Sequence, residues 1–115
     1  MFPARIADTT TGEWKEHPRF PGILMKPLLT SADNALANVS LVRVPPGREV
    51  GRHFHPTQVE TVYLITGKSI LTVGDTEAPL EAGQIVAIPI GVEHALRNVG
   101  PEPVELLAFF TPPIS

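Results

Sequence analysis

The feature that most constrains this sequence is a succession of short apolar runs, each ended by proline or glycine within a few residues. The run from Glu60 to Thr66 alternates most clearly, with Val62 and Leu64 on one side of an extended chain. Such runs, with turn residues at intervals of about 8–12 positions, are typical of β-sandwiches, jelly rolls and barrels. The sequence therefore predicts an all-β fold without a long helix.

The predicted strands share this alternation and stop at turn signals. They cover residues 39–44, 60–66, 69–73, 84–88, 94–99 and 104–110. Gly67 and Gly83 stand at turns where a positive φ is expected, because glycine adopts it without steric cost. Pro89 and Gly91 are expected to shape the turn that precedes His94.

The domain organisation follows from the length and from the prolines. A chain of 115 residues suits one domain. We assign residues 38–115 to the barrel and residues 1–37 to an irregular arm with edge strands, because proline lacks the donor that an inner strand needs. This arm either crosses to a neighbouring subunit or folds back on its own barrel. The tail at 111–115 is expected to fray.

Composition and charge exclude several classes of function. The chain has no cysteine, so disulfides, thiolate metal sites and cysteine catalysis are excluded. The formal net charge of −3 disfavours nucleic acid and anionic membranes as partners. No apolar run approaches the roughly 18 residues of a membrane span, and the N-terminus does not resemble a signal peptide. We therefore expect a cytoplasmic protein.

Three of the four histidines, together with Glu60, indicate a metal site. His53 and His55 lie two apart, so on a strand both would point to the same face. Glu60 shares a face with Val62, and His94 is expected to point inward by the same alternation. A buried carboxylate needs a partner, and a metal cation supplies one.

The spacing around these residues carries a resemblance to a known family. In the first segment, which runs Gly47, His53, His55, Glu60, Gly67, successive residues are separated by five, one, four and six intervening positions. In the second segment, which runs Gly83, Pro89, Gly91, His94, Asn98, successive residues are separated by five, one, two and three intervening positions. Both segments resemble the two signature motifs of the cupin superfamily, and the short gap between them is similar to that of small single-domain cupins.

The resemblance implies a double-stranded β-helix, or jelly roll, that binds one divalent transition metal per chain. The family's ligands correspond to His53, His55, Glu60 and His94. Fe, Mn, Ni, Cu, Co and Zn all suit such a nitrogen and oxygen set, and the sequence does not choose among them. Four protein ligands on an octahedral ion leave two positions for water, O₂ or a small-molecule substrate. The resemblance and the apolar residues of the arm also predict a homodimer.

Other residues have expected places around the ion. Gln58 is a candidate substrate contact, and Asn98 is expected to tie down backbone at the end of the barrel. Tyr63 is expected to face outward or into a subunit contact, and His17 is expected on the surface. Apolar side chains are expected to line the barrel at Val62, Leu64, Leu71, Val73, Leu96 and Phe109 or Phe110. We expect Arg43, Arg52 and Arg97 to be solvated at the surface rather than to bind a substrate carboxylate.

Three classes of function remain open. The leading hypothesis is a metal-dependent dioxygenase or oxidoreductase acting on a small organic molecule. The alternatives are a non-redox metal-dependent isomerase or lyase and a binding or sensor protein without turnover. An internal base would help an isomerase or lyase reaction. Glu49, Asp75 and Glu93 fall in predicted turns, which lowers the weight of that class.

Overall fold

The computed structural model describes residues 2–115, which form ten strands and contain no helix. The strands are β1 Lys15–Glu16, β2 Leu24–Leu29, β3 Asn38–Val44, β4 Glu49–His53, β5 Val59–Thr66, β6 Lys68–Val73, β7 Thr76–Glu81, β8 Ile85–Ile88, β9 His94–Asn98 and β10 Val104–Thr111. The predicted all-β fold is confirmed. A helix long and apolar enough to cross a membrane is likewise not found in this range.

Two antiparallel sheets form the jelly roll. The larger has the order β1-β2-β3-β10-β5-β8, and the smaller has the order β4-β9-β6-β7. Non-local pairs such as β3 with β10 and β4 with β9 bring the two ends of the barrel sequence together. The core consists of apolar side chains from both sheets and from the loop before β2: Ile23, Val44, Val62, Leu64, Leu71, Leu80, Ile88, Leu96, Val104, Leu106 and Ala108.

The predicted alternation holds in the strands that carry the candidate ligands. On β5, Glu60 and Val62 are buried, whereas Tyr63 between the apolar positions is 36% exposed. On β9, His94 and Leu96 are buried together with Asn98. Because alternate side chains of a strand share a face, these residues point between the two sheets.

The N-terminal segment lies on the larger sheet of its own chain. Strand β2 pairs with β3, so Met25 lies opposite Val42. Trp14 extends the contact, because its ring lies 4.2 Å from the Arg43 guanidinium carbon. The Lys26 ammonium also lies over this ring and donates to the carbonyl of Thr9 at 3.0 Å. The boundary at residue 37 remains a prediction.

Two features differ from the sequence expectation. Strands β4 and β7 were not predicted; β7 is an edge strand in which only Leu80 is buried, so its sequence has almost no alternation. The expectation of a frayed tail at 111–115 is wrong. The Ile114 amide donates to Asn38 Oδ1 at 2.7 Å, and the Ser31 amide donates to the Ser115 carbonyl at 2.8 Å.

The predicted roles of Gly67 and Asn98 are confirmed. Gly67 has a φ of 96°, and the turn it forms packs directly against Val104. Asn98 Nδ2 donates to the carbonyls of Val44 at 3.0 Å and Glu102 at 2.8 Å, and its Oδ1 accepts from the Gly100 amide. This amide therefore joins three backbone segments at one end of the barrel.

Candidate metal centre

Residues from both sheets meet at one end of the space between them. His53 is the last residue of β4 and lies opposite His94, the first residue of β9. Glu60 comes from β5 in the larger sheet, and His55 comes from the loop between β4 and β5. One ligand atom from each of these four residues lies within 4.8 Å of the others.

The convergence of His53 and His55 does not arise from strand alternation. Alternation would place both on one face only if both lay on a strand, but β4 ends at His53 and its pairing with β9 shifts register just before that residue. His55 is held by a different contact. The Gly91 amide donates to the His55 carbonyl at 2.9 Å, which ties its loop to the turn preceding His94.

Backbone carbonyls set the orientation of two imidazoles. His53 Nδ1 lies 2.7 Å from the Gly51 carbonyl oxygen, and His94 Nδ1 lies 2.9 Å from the Val92 carbonyl oxygen. A carbonyl oxygen only accepts, so each Nδ1 carries the proton and donates. The lone pair of each neutral ring is then on Nε2. This is the arrangement in which a backbone partner orients a metal-ligating histidine.

The environment of Glu60 fits a cation. Its Oε1 lies 2.9 Å from His94 Nε2 and 3.2 Å from His55 Nε2. His94 already donates from Nδ1, so a neutral ring has no second proton for this contact; a proton or a cation must lie between Nε2 and Oε1. His55 Nε2 is near Oε1, yet it is a buried nitrogen without a hydrogen bond of acceptable geometry. A divalent ion would satisfy all of these atoms.

The pKa shifts reflect the same arrangement. Burial is the largest single influence on Glu60 and opposes its ionisation, but the close contacts and charges of His55 and His94 together lower its pKa to about 2. Burial also disfavours a charged His94, yet Glu60 and the Val92 carbonyl together raise its pKa. Burial lowers the pKa of His53. Glu60 is therefore an anion around neutral pH and attracts positive charge.

A cavity of about 480 Å³ opens from the four residues into the barrel. Most of its wall is apolar, as predicted for Val62, Leu71 and Leu96, and of the two predicted phenylalanines it is Phe110 that lines it. Leu64 and Val73 do not line the cavity; Leu64 belongs to the packed core and Val73 packs against it. A larger depression of about 640 Å³ lies near the turn at Gly67, but none of the four candidate ligands lines it.

His17 is a site residue that the sequence analysis missed. The expectation of a surface position is wrong, because His17 is half-buried and lines the cavity of its own chain. Its Nδ1 accepts hydrogen bonds from the amides of Arg19 at 3.0 Å and Phe20 at 3.3 Å. The Phe20 ring lies between it and the cluster, 5.1 Å from the His53 ring. No local signal marks His17, because a loop between β1 and β2 brings it there.

The other sequence candidates lie away from the cavity wall. Gln58 is half-buried in the loop before β5 and is not among the described residues that line the cavity, so its substrate contact remains an untested prediction. The three arginines form ion pairs instead: Arg43 with Glu105, Arg52 with Glu93 and Arg97 with Glu77. These arginines are paired with glutamates and do not line the cavity, so nothing in the structure supports their binding a substrate carboxylate.

Comparison with known proteins agrees with this site and fold. Residues 40–110 match the family described as the cupin domain. The chain belongs to the cupin family. The match includes both segments that carry the candidate ligands, so the cluster lies at the place that the family resemblance implies.

Several curated relatives share part of this cupin chain. It is 27% identical over 108 residues to an oxalate-binding protein of Thermotoga maritima, which covers 94% of this chain and 85% of that protein. It is 30% identical over 89 residues to polyketide synthase CurC of Streptomyces cyaneus, covering 77% of this chain and 56% of the relative. This chain therefore spans only about half the length of some curated relatives.

Solved structures confirm the cupin fold. KdgF from a Halomonas species superposes with a TM-score of 0.84 at 16% identity, covering 95% of this chain and 94% of that one. A predicted oxalate decarboxylase from Thermotoga maritima gives a TM-score of 0.84 at 22% identity, covering 93% of this chain and 98% of the other. At these identities the likeness extends to the double-stranded β-helix alone.

Proposed function

We infer that this cupin binds one divalent transition metal through His53, His55, Glu60 and His94 and acts on a small organic acid. The observation that carries this inference is the single oxygen, Glu60 Oε1, that lies near the Nε2 atoms of two buried imidazoles. The carboxylate oxygen is a hard donor and the imidazole nitrogens are borderline donors. This mixed set suits Fe, Mn, Co, Ni, Cu or Zn. The apolar cavity beside it is large enough for a small molecule.

The leading reaction class is that of a metal-dependent dioxygenase or oxidoreductase. A redox-active ion, when bound, would supply electron transfer and substrate orientation. His53, His55, Glu60 and His94 would hold the ion, and the apolar side chains of Val62, Leu71 and Leu96 line the cavity next to it. Glu60 keeps the centre at a net charge of +1 with three neutral histidines, which favours an anionic substrate.

A non-redox lyase or isomerase is the second candidate, in which the ion would polarise a substrate carbonyl as a Lewis acid. His17 lines the cavity, and burial and the charge of Arg19 lower its pKa, so its ring is neutral at pH 7. Because Nδ1 accepts the amides of Arg19 and Phe20, this ring can donate a hydrogen bond to a substrate from Nε2. One relative, oxalate decarboxylase OxdC of Bacillus subtilis, is a decarboxylase by name and is 33% identical over 76 residues, which covers 62% of this chain and 20% of that protein.

Metal-substituted protein separates these classes. Protein loaded with Fe(II) or Zn(II) is incubated with oxalate, malate and 2-oxoglutarate, with and without O₂, and products are followed by NMR. Consumption that requires both Fe(II) and O₂ supports the first class. Turnover with Zn(II), or without O₂, supports the second. Binding without any product leaves a binding or sensor protein, and a His53→Ala variant controls for reaction at free metal.

A homodimer is the proposed assembly. Apolar side chains stand exposed on the outer face of the larger sheet, where Tyr63 lies opposite Ile85. Ile85 is 63% exposed and Ile65 is 37% exposed, and such neighbouring apolar residues favour a protein interface. Light scattering on the purified protein tests this assembly. Ile85→Lys is expected to give the monomer mass, with Val99→Lys as a control, because exposed Val99 follows β9 in the smaller sheet.

A further inference from the structure

Two polar side chains on β3 face the cavity without a structural reason for both. Asn38 and Ser40 are 1% and 3% exposed, and both line the cavity. Asn38 Oδ1 accepts from the Ile114 amide, which places the amide nitrogen Nδ2 on its other side. The hydrogen bond at Oδ1 leaves Asn38 Nδ2 to donate to a molecule in the cavity, and the Ser40 hydroxyl can do the same.

Strand register places these groups in line with the metal centre. Asn38 lies opposite Phe110, and Phe110 lies opposite Glu60 on the next strand. Ser40 lies in the adjacent row, opposite Ala108. Neighbouring strands are about 4.7–4.9 Å apart, so Asn38 and Glu60 are separated by roughly 9–10 Å across one face.

Space remains in the cavity between the metal centre and the pair Asn38 and Ser40. Ala108 is the smallest residue in the row that contains Ser40, and it also lines the cavity. The remaining wall near it is apolar, formed by Val42 and Val62. A ligand that binds at the metal centre can therefore extend over Ala108 toward Asn38 and Ser40.

The available hydrogen-bonding atoms define the chemistry of the group that binds there. Asn38 Nδ2 only donates, and the Ser40 hydroxyl can donate. His17 adds a third donor, because its Nδ1 is occupied as an acceptor and its neutral ring then carries the proton on Nε2. Arg19, also in the cavity lining, adds a positive charge at the rim. Donors together with a cation fit carboxylate oxygens.

We propose that Asn38 and Ser40 form a second subsite of the cavity, which binds the distal carboxylate of a small 2-hydroxy or 2-oxo dicarboxylic acid. This inference rests on the proposed function, since the other end of the acid binds at the ion. The subsite explains why polar side chains occupy two inward positions of a central strand. It also makes Asn38 and Ser40 specificity-determining residues, because a shorter acid does not reach them.

Two acids test the subsite by titration calorimetry on the Zn(II)-loaded protein. Malate has a chelating 2-hydroxy acid group and a distal carboxylate, whereas oxalate has only the chelating group. Asn38→Asp keeps the oxygen that accepts from Ile114 but replaces the donor by a negative charge. Ser40→Ala removes only the hydroxyl. Asn34→Asp is the matched control, because exposed Asn34 Oδ1 likewise accepts a backbone amide, that of Leu36.

We expect Asn38→Asp to weaken malate binding at least tenfold and Ser40→Ala at least threefold, with oxalate affinity within twofold of the wild type in both. Asn34→Asp should change neither. Equal effects on malate and oxalate, or no effect on malate, would overturn the subsite while leaving the metal centre intact. Wild-type protein that holds zinc but binds neither acid would overturn the subsite and the acid substrate together. Failure to hold zinc, measured by elemental analysis, would overturn the proposed function first.

Discussion

Glu60 Oε1 lies 2.9 Å from His94 Nε2, although the two residues come from different sheets and are 34 positions apart in the chain. His94 also donates from Nδ1 to the Val92 carbonyl, so the ring orientation is fixed from both sides. The two sheets are thus joined at one end by a charged contact between buried groups. A metal ion that replaces the proton between these two atoms would bind where positive charge already lies next to the Glu60 carboxylate.

Loss of the Glu60 charge should weaken metal binding more than any change outside the cluster. Glu60→Gln keeps the shape of the side chain but removes the anion, and we expect zinc affinity to fall by about 100-fold or more. Competition with a chromogenic chelator measures it. Glu105→Gln, which breaks the outer ion pair with Arg43, is the control and should bind zinc like the wild type. Equal affinities of the wild type and Glu60→Gln would contradict the assignment.

The neutral form of His17 should make stability depend on pH. Its pKa in the folded protein is lowered by burial, so the folded state binds fewer protons than the unfolded state around pH 6. The contribution of His17 to stability is complete above its ordinary pKa of 6.5 and is lost as the pH falls through this value toward the lowered one.

His17→Asn tests this dependence, because asparagine also accepts the backbone amides of the following residues but does not titrate. Urea unfolding at several pH values should show the wild type losing stability relative to His17→Asn between pH 7.5 and pH 5. A difference between the two proteins that is constant over this range, or that grows in the opposite direction, would show that the pKa of His17 is not lowered.

Gly67 should tolerate a side chain less well than any comparable glycine turn. A Cβ at this position would lie 2.8 Å from Val104 Cγ2 and 2.9 Å from the Pro103 carbonyl oxygen, and the φ of 96° is unfavourable for alanine. We expect Gly67→Ala to reduce the free energy of unfolding by about 2–4 kcal/mol. Gly83→Ala is the matched control, with a φ of 88° and nothing within 4 Å of its Cβ. It should cost about 1 kcal/mol, and equal losses would rule out the contact with Val104.

Local patterns were sufficient for most of the fold. Alternation predicted β5 and β9 because one face of each strand is buried, and this also placed Glu60 and His94 inward. It could not predict β7, where a single residue is buried and Pro79 lies at the sheet edge. The family spacing predicted the cluster that includes His55, although the reason given from strand geometry was wrong.

The rest of the cavity depends on contacts between distant segments. His17 reaches the wall through the pairing of β1 with β2, and Asn38 is joined to the tail by the Ile114 amide, 76 positions away. Neither contact follows from the residues on either side. The inward positions of Asn38 and Ser40 were not predicted, because apolar Val39 and Leu41 alternate with them. Their alignment with Glu60 depends on the pairing of β3 with β10 and of β10 with β5.

The central claim is a single metal ion held by four ligands, and the metal content of the purified protein tests it most directly. Elemental analysis of protein prepared without an affinity tag is compared with His53→Ala and with His17→Asn, which changes a histidine outside the cluster. The account predicts about one equivalent of a transition metal per chain in the wild type and in His17→Asn, and its loss in His53→Ala. Wild-type protein that contains no metal and takes up none of Fe, Mn, Co, Ni, Cu or Zn on reconstitution would contradict it.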